Sequence, residues 1–212
     1  MNSLLSPIWS IFILTIALTG CASPKLSVEQ RSAVKKVSIG KVELPEKPTI
    51  FGESAAGAFL LGGPLGLAIA NAGSDVPAEF KKALDRSQTD VASLVRADLK
   101  LQLIRNGFEV VADNDPGADA VLFPKVLQYG LTGNIFASPP VRVPALWIRV
   151  DLKQAKSGEI LWWHWASVHV TKGIIDQLEA RSIADYFTKD ELINNQFKKA
   201  SALVSESIFI NF

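Results

Sequence analysis

The sequence predicts an α+β fold: one mostly antiparallel sheet of about four to five strands packed by two main helices, with a Gly/Ala-rich apolar helical insert after the first strand, about 51–80. Three observations predict it. Residues 88–106 place Val91, Leu94, Val95, Leu99, Leu101, Leu103 and Ile104 at helical spacing, with Asp90 near the start and Gly107 just past the end. Leu146, Ile148, Val150 and Leu152 alternate with Trp147, Arg149 and Asp151, and Lys156-Ser157-Gly158-Glu159 turns that strand into a second one, Ile160 to Val170. Ile193, Phe197, Ala200, Val204 and Ile208 lay one apolar stripe along a C-terminal helix.

The chain has 212 residues, 48% of them hydrophobic, which suffices for one core, so 34–212 reads as a single domain. Lys and Arg number 22 against 21 Asp and Glu. That balance lacks the basic excess by which nucleic-acid binders neutralise phosphates, and no nucleic-acid partner is expected. One Cys excludes an intramolecular disulfide, a CxxC pair and a zinc site built on several thiolates.

Residues 8–18, Ile8-Trp9-Ser10-Ile11-Phe12-Ile13-Leu14-Thr15-Ile16-Ala17-Leu18, form an apolar run of signal-peptide length, short for a bilayer span. Leu18-Thr19-Gly20-Cys21 follows at once and resembles a bacterial lipobox. The resemblance implies a signal peptide over 1–20, cleavage between Gly20 and Cys21, a diacylglycerol on the Cys21 thiol and a fatty acyl group such as palmitate on the freed amine. Several acyl chains on one residue anchor a protein stably. Ala22 after the Cys implies, by the same resemblance, the outer membrane and a periplasm-facing domain. Residues 21–33 then read as the lipidated Cys and a polar tether.

Val34 to Leu44 predicts the first strand, with Val37 and Ile39 on one face and a phase slip at Gly40-Lys41 that a bulge would absorb. Residues 54–74 hold no charge until Asp75 and are rich in Gly and Ala; Gly62-Gly63-Pro64 breaks the stretch in two. Phe59, Leu60, Gly62, Gly63 and Leu67 are the candidate contacts there with a neighbouring subunit or a bilayer, since small residues let helices approach closely. Phe108 to Val111 predicts a strand and Asp113-Asn114-Asp115-Pro116-Gly117 a turn. In 120–131, Val121, Phe123, Leu127 and Tyr129 read as the apolar face, interrupted by Lys125. Thr188 with Glu191 has capping-box spacing for the last helix.

A lipobox, a first strand, a helix ending Ile104-Arg105-Asn106-Gly107-Phe108-Glu109-Val110-Val111, then Ala118-Asp119-Ala120-Val121-Leu122 and the hairpin through Ser157-Gly158-Glu159-Ile160-Leu161-Trp162 complete a pattern. It resembles the broad class of envelope lipoproteins that includes the curli-secretion lipoprotein and the lipoprotein activators of penicillin-binding proteins, together with the amino-terminal domain of the Tol translocation protein. The resemblance covers about 34–44 and 88–208, leaves the insert unmatched and carries no binding residue across.

Enzyme chemistry finds little to stand on. Gly52-Glu53-Ser54-Ala55-Ala56 looks like the nucleophile elbow of carboxylesterases, with Ala56 where the second Gly belongs and too little chain before Ser54 to build that fold. An esterase at Ser54 is the third reading. His164 and His169, five apart on one predicted strand, face opposite sides and share no metal; no metal or cofactor is expected. Asp113, Asp115 and Asp119 lack the closing Glu of a calcium loop and read as turn chemistry. Trp162, Trp163 and Trp165, with Trp147 across the hairpin, are the aromatic residues that either pack across strands or anchor a partner. The leading expectation is a non-enzymatic lipid-anchored envelope protein that docks another envelope component through Phe136 in the 131–145 loop, Trp147 and Trp162. The alternative is an oligomeric ring or channel subunit assembled through 54–74.

Overall fold

In chain order the elements are α1 (Val28–Ala33), β1 (Lys36–Ile39), β2 (Thr49–Ile50), α2 (Val76–Arg86), α3 (Val91–Arg105), β3 (Glu109–Val110), β4 (Ala120–Thr132), β5 (Val143–Gln154), β6 (Ile160–Ser167), a 3-10 turn (Ile175–Gln177), α4 (Ile183–Thr188) and α5 (Asp190–Phe209). This computed structural model describes residues 25–50, 75–133, 141–210 and 212. The architecture is α+β, as expected, with a sheet of six strands ordered β3-β1-β4-β5-β6 and β2 paired to β4. The long ladders β4–β5 and β5–β6 are antiparallel, while the short strands β1, β2 and β3 pair in parallel. The count exceeds the expected one because β2 and β3 are two residues each, too short to leave a period in the sequence.

α3 begins and ends where its local signals place it. The Asp90 carboxylate accepts from the Ser93 N–H, and Gly107 takes φ +86° so that the chain turns back into β3. Its buried face is Val91, Val95, Leu99 and Leu103, while Leu101 and Ile104 point to solvent. α5 buries the whole expected stripe, Ile193, Phe197, Ala200, Val204 and Ile208, against α3 and the inner face of β5 and β6. Each large side chain so buried contributes about 1.5–3 kcal/mol of hydrophobic transfer. Leu146, Ile148, Val150 and Leu152 supply that inner face.

Four local expectations are corrected. In β4 the buried side is Ala120, Leu122, Pro124 and Val126, then Tyr129 and Leu131, leaving Phe123 and Leu127 exposed. A bulge between Val126 and Gln128 reverses the phase, so Tyr129 joins the core from a position out of step with Val126. Thr188 does not cap α5: its hydroxyl donates to the Ala184 carbonyl within α4, and Lys189 stands at the cap without a side-chain bond. The last hairpin strand stops at Ser167, short of Val170, because Ser167 exchanges bonds with Thr171 in a turn. Residues 76–80, read as part of the insert, begin α2, capped by Asp75 with Pro77 in its first turn.

The phase slip after β1 has a structural cause. The Gly40 N–H donates to the Leu122 carbonyl and the Glu43 N–H to the Pro124 carbonyl, so the chain stays beside β4 while its ladder is interrupted. Pro124 offers no N–H on that same side, and the irregular stretch lies opposite it. Gly130, at φ +145°, has β2 lying so close that a Cβ would fall 1.8 Å from the Thr49 carbonyl oxygen.

Candidate functional site: the outer face of the sheet

The described helices pack on one face of the sheet, through contacts of α3 with β1 and of α5 with β5 and β6. The opposite face gathers the odd-numbered side chains of β5 and β6 and the residues of β4 that cross-pair with them. Phe123 stands opposite Asp151, Lys125 opposite Arg149, Gln128 opposite Trp147, Arg149 opposite Trp165 and Asp151 opposite Trp163. The outcome is a layer of aromatic rings interleaved with cations. The Arg149 guanidinium lies 4.9 Å from the Trp163 ring centroid and holds the Asp151 carboxylate at 3.0 Å. Lys153 Nζ lies 4.8 Å from the Phe123 ring, and the Trp147 and Trp165 rings are 5.8 Å apart. Phe123, Leu127 and Trp147 keep 43%, 38% and 36% of their surface in water. Large apolar side chains gathered on one face that no described element covers, and rimmed by charge, mark an interaction surface.

Of the sequence-predicted contacts, Trp147 lies on this face and Trp162 does not. Trp162 is 1% exposed, on the inner face, edge-on to Phe212 at 4.3 Å between centroids and 5.8 Å from Phe209. Period 2 puts it opposite Trp163 and Trp165, and the C-terminal residues cover it, so it is corrected from a partner contact to a core residue. Phe136, in 134–140, lies outside the described residues, as do Gly20, Cys21, Ser54, Phe59, Leu60, Gly62, Gly63 and Leu67. Phe123 and Leu127 also belong to this face, beyond the contacts expected from sequence. The signal that could have found them is Lys125, a charge that belongs on the solvent side and carries its i±2 neighbours with it.

The histidines sit apart from this face. His164 is half-buried on the inner side with its ring 6.0 Å from Trp162, and burial pushes its imidazole below the usual histidine range. His169 lies in the turn after β6, with Nδ1 3.4 Å from Thr132 Oγ1. Its ring is crowded enough to be lowered as well, although the residue as a whole is exposed. Among the described residues no three His, Cys, Asp or Glu side chains cluster as a metal site. The aspartates after β3 do the work of turns and strand ends: Asp115 accepts from the Gly117 N–H, Asp113 pairs with Arg96, and Asp119 accepts the N–H groups of Lys35 and Lys36 at 2.9 and 2.8 Å. Those two backbone bonds hold the Asp119 carboxyl below the ordinary range.

One buried cation stands out. Arg142 is wholly buried, bonds the Val141 carbonyl through Nη1 at 2.9 Å, and leaves Nε and Nη2 without partners among the described residues. Burial lowers its pKa. Its backbone exchanges two bonds with Arg181, which extends the sheet past the end of β6.

No protein-family model matches the chain, and no curated protein matches it. Among solved structures it is similar to a minor lipoprotein from Acinetobacter baumannii, at 13% identity and a TM-score of 0.39 over 83% of this chain and 90% of that one. It is similar also to lipoprotein GNA1162 from Neisseria meningitidis, at 21% identity and 0.27 over 63% and 81%. A PelC dodecamer from Paraburkholderia phytofirmans gives 10% and 0.35 over 87% and 94%. At these scores the likenesses assign no residue a role. Among the described residues no helix is long and apolar enough to cross a membrane.

Proposed function

We propose that the chain is a non-enzymatic envelope lipoprotein, anchored through acyl groups on Cys21, that docks another envelope component on the outer face of its sheet. The observation that carries the reading is the layer of Phe123, Leu127, Trp147, Trp163 and Trp165 that no described element covers, on a chain whose Leu18-Thr19-Gly20-Cys21 resembles a lipobox. Large rigid rings lose little conformational freedom on binding and dominate contact energies, and cations resting on their faces are already desolvated in part. The segment expected as a 131–145 loop gives Leu131 and Thr132 to β4 and Val143 to Ala145 to β5; of the residues between them, Phe136 is proposed for the same contact.

The anchor and the docking face are tested separately. In a bacterial host fed a labelled fatty acid, wild type is expected to take up label and Cys21→Ala to take up none; an unlabelled wild type removes the anchor. For docking, Trp147→Ala with Phe136→Ala is expected to cut partner capture in envelope cross-linking by at least about 10-fold while the thermal transition stays within a few degrees. Undiminished capture overturns the docking face.

A further inference from the structure

β6 is an edge of the sheet, and its eight residues, Ile160-Leu161-Trp162-Trp163-His164-Trp165-Ala166-Ser167, contain no Lys, Arg, Asp, Glu or Pro. Edge strands left open are ordinarily short or protected by charge, proline or a covering segment, because their unpaired N–H and C=O groups template another strand. The opposite edge obeys that rule, since β3 has two residues and one of them is Glu109. β6 does not.

Which backbone groups face outward follows from the ladder. The Val168 N–H donates to Leu146, and Ala166, His164 and Trp162 pair with Ile148, Val150 and Leu152, so even-numbered positions bond to β5. Odd-numbered positions face away. At Ser167 the outward groups are already used: its N–H donates to Thr171 Oγ1 at 3.0 Å and its carbonyl accepts the Thr171 N–H at 3.1 Å. At the other end Leu161 falls in the register shift opposite Leu152 and Lys153. Among the described residues the outward backbone groups that remain are those of Trp163 and Trp165, one on either side of His164, whose own backbone pairs with Val150. Among the described elements, β6 makes its tertiary contacts with β5 and α5, and no strand adjoins this side.

We infer that β6 pairs antiparallel with β6 of a second copy of this chain, on a two-fold axis through His164. In that register Trp163 of each protomer exchanges both backbone bonds with Trp165 of the other, which uses the outward groups of both residues on both edges. A strand without charge places no like charges across the dyad, so it is self-complementary as a C2 interface must be. The axis of an antiparallel strand pair is normal to the sheet. The two aromatic outer faces then lie side by side and point the same way, forming one doubled surface. This goes beyond the docking proposal and stands or falls without it.

The register makes a sharp test. The two His164 Cα atoms would form a non-hydrogen-bonded pair, about 4.5 Å apart, within the range a disulfide bridges. His164→Cys in the full-length chain in mild detergent is expected to give a reductant-sensitive dimer on mild oxidation, where wild type, whose one Cys, Cys21, is closed as a thioether under the proposed anchor, gives none, and the same dimer is expected of His164→Cys in a Cys21→Ser background. Light scattering should show two protomers in wild type. Trp163→Pro removes an N–H that bonds none of the described residues of the protomer, and should weaken the dimer by at least about 10-fold. Trp147→Ala, on the outer face but off the edge, should leave the mass at two protomers. Hydrogen exchange on wild type covers the case in which a variant fails to fold: the Trp163 and Trp165 amides should be protected and lose protection on dilution. A monomeric wild type, an assembly untouched by a folded Trp163→Pro, dissociation by Trp147→Ala, absence of the His164→Cys dimer, or free exchange of those amides at every concentration each overturns the inference.

Discussion

At the scale of the residue, the tryptophans divide by parity. Trp162 and Trp163 are neighbours in sequence, yet one is sealed against Phe209 and Phe212 while the other lies under Arg149 on the outer face. Their substitutions should divide likewise. Trp162→Ala opens a cavity that the rings of Phe209 and Phe212 fill only in part, and should cost about 3–5 kcal/mol in chemical denaturation. Trp147→Ala removes a ring already about a third in water and should cost well under half of that. Equal losses for the two would show that the outer rings belong to the core.

The elements record why some structure was legible in the sequence and some was not. α3, the hairpin turn and the α5 stripe rest on signals that lie within a few residues of their effect: a capping Asp90, a stop at Gly107, alternation over Leu146 to Leu152. Asp90→Ala should accordingly lower stability by about 1 kcal/mol, measured by denaturant unfolding, with Asp90→Asn restoring most of it. A loss in both alike would assign the effect to charge at the helix terminus. The sequence of β4 does not fix its buried face, because both of its sides carry apolar residues and the choice falls to a bulge in its pairing with β5. α2 and α4 carried caps at Asp75 and Ser182 that mark them in hindsight, but the first borders a long Gly/Ala stretch and the second is only six residues. Arg142 left no trace in the sequence, since a cation bounding a strand is ordinarily solvated. Of the expected contact site, Trp147 was legible from alternation alone. Trp162 was misplaced because assigning the faces of β6 requires knowing which one α5 covers.

For the whole molecule, stability should follow pH in a direction fixed by groups on several elements. Burial lowers the imidazole pKa of His164, and crowding lowers that of His169, so the unfolded chain binds more protons than the folded one below about pH 6.5. Stability then falls as pH drops through that region. Asp90, held low first by its bond from the Ser93 hydroxyl, and Asp119, held low by the Lys36 and Lys35 amides, add a second loss below about pH 4, where they gain protons on unfolding. Asp98 opposes them. Half-buried on α3, its carboxyl is pushed up chiefly by desolvation, so folding takes up a proton there and the penalty of its charge is relieved as pH falls. The denaturation midpoint should thus be highest at neutral pH, decline in two steps, and lose part of the first step in His164→Gln. Asp98→Asn should raise the midpoint at pH 7, with the gain shrinking as the solution approaches pH 4. A midpoint that rises on acidification from pH 7 to 5 would show that relief of the Asp98 charge outweighs the loss assigned to the histidines.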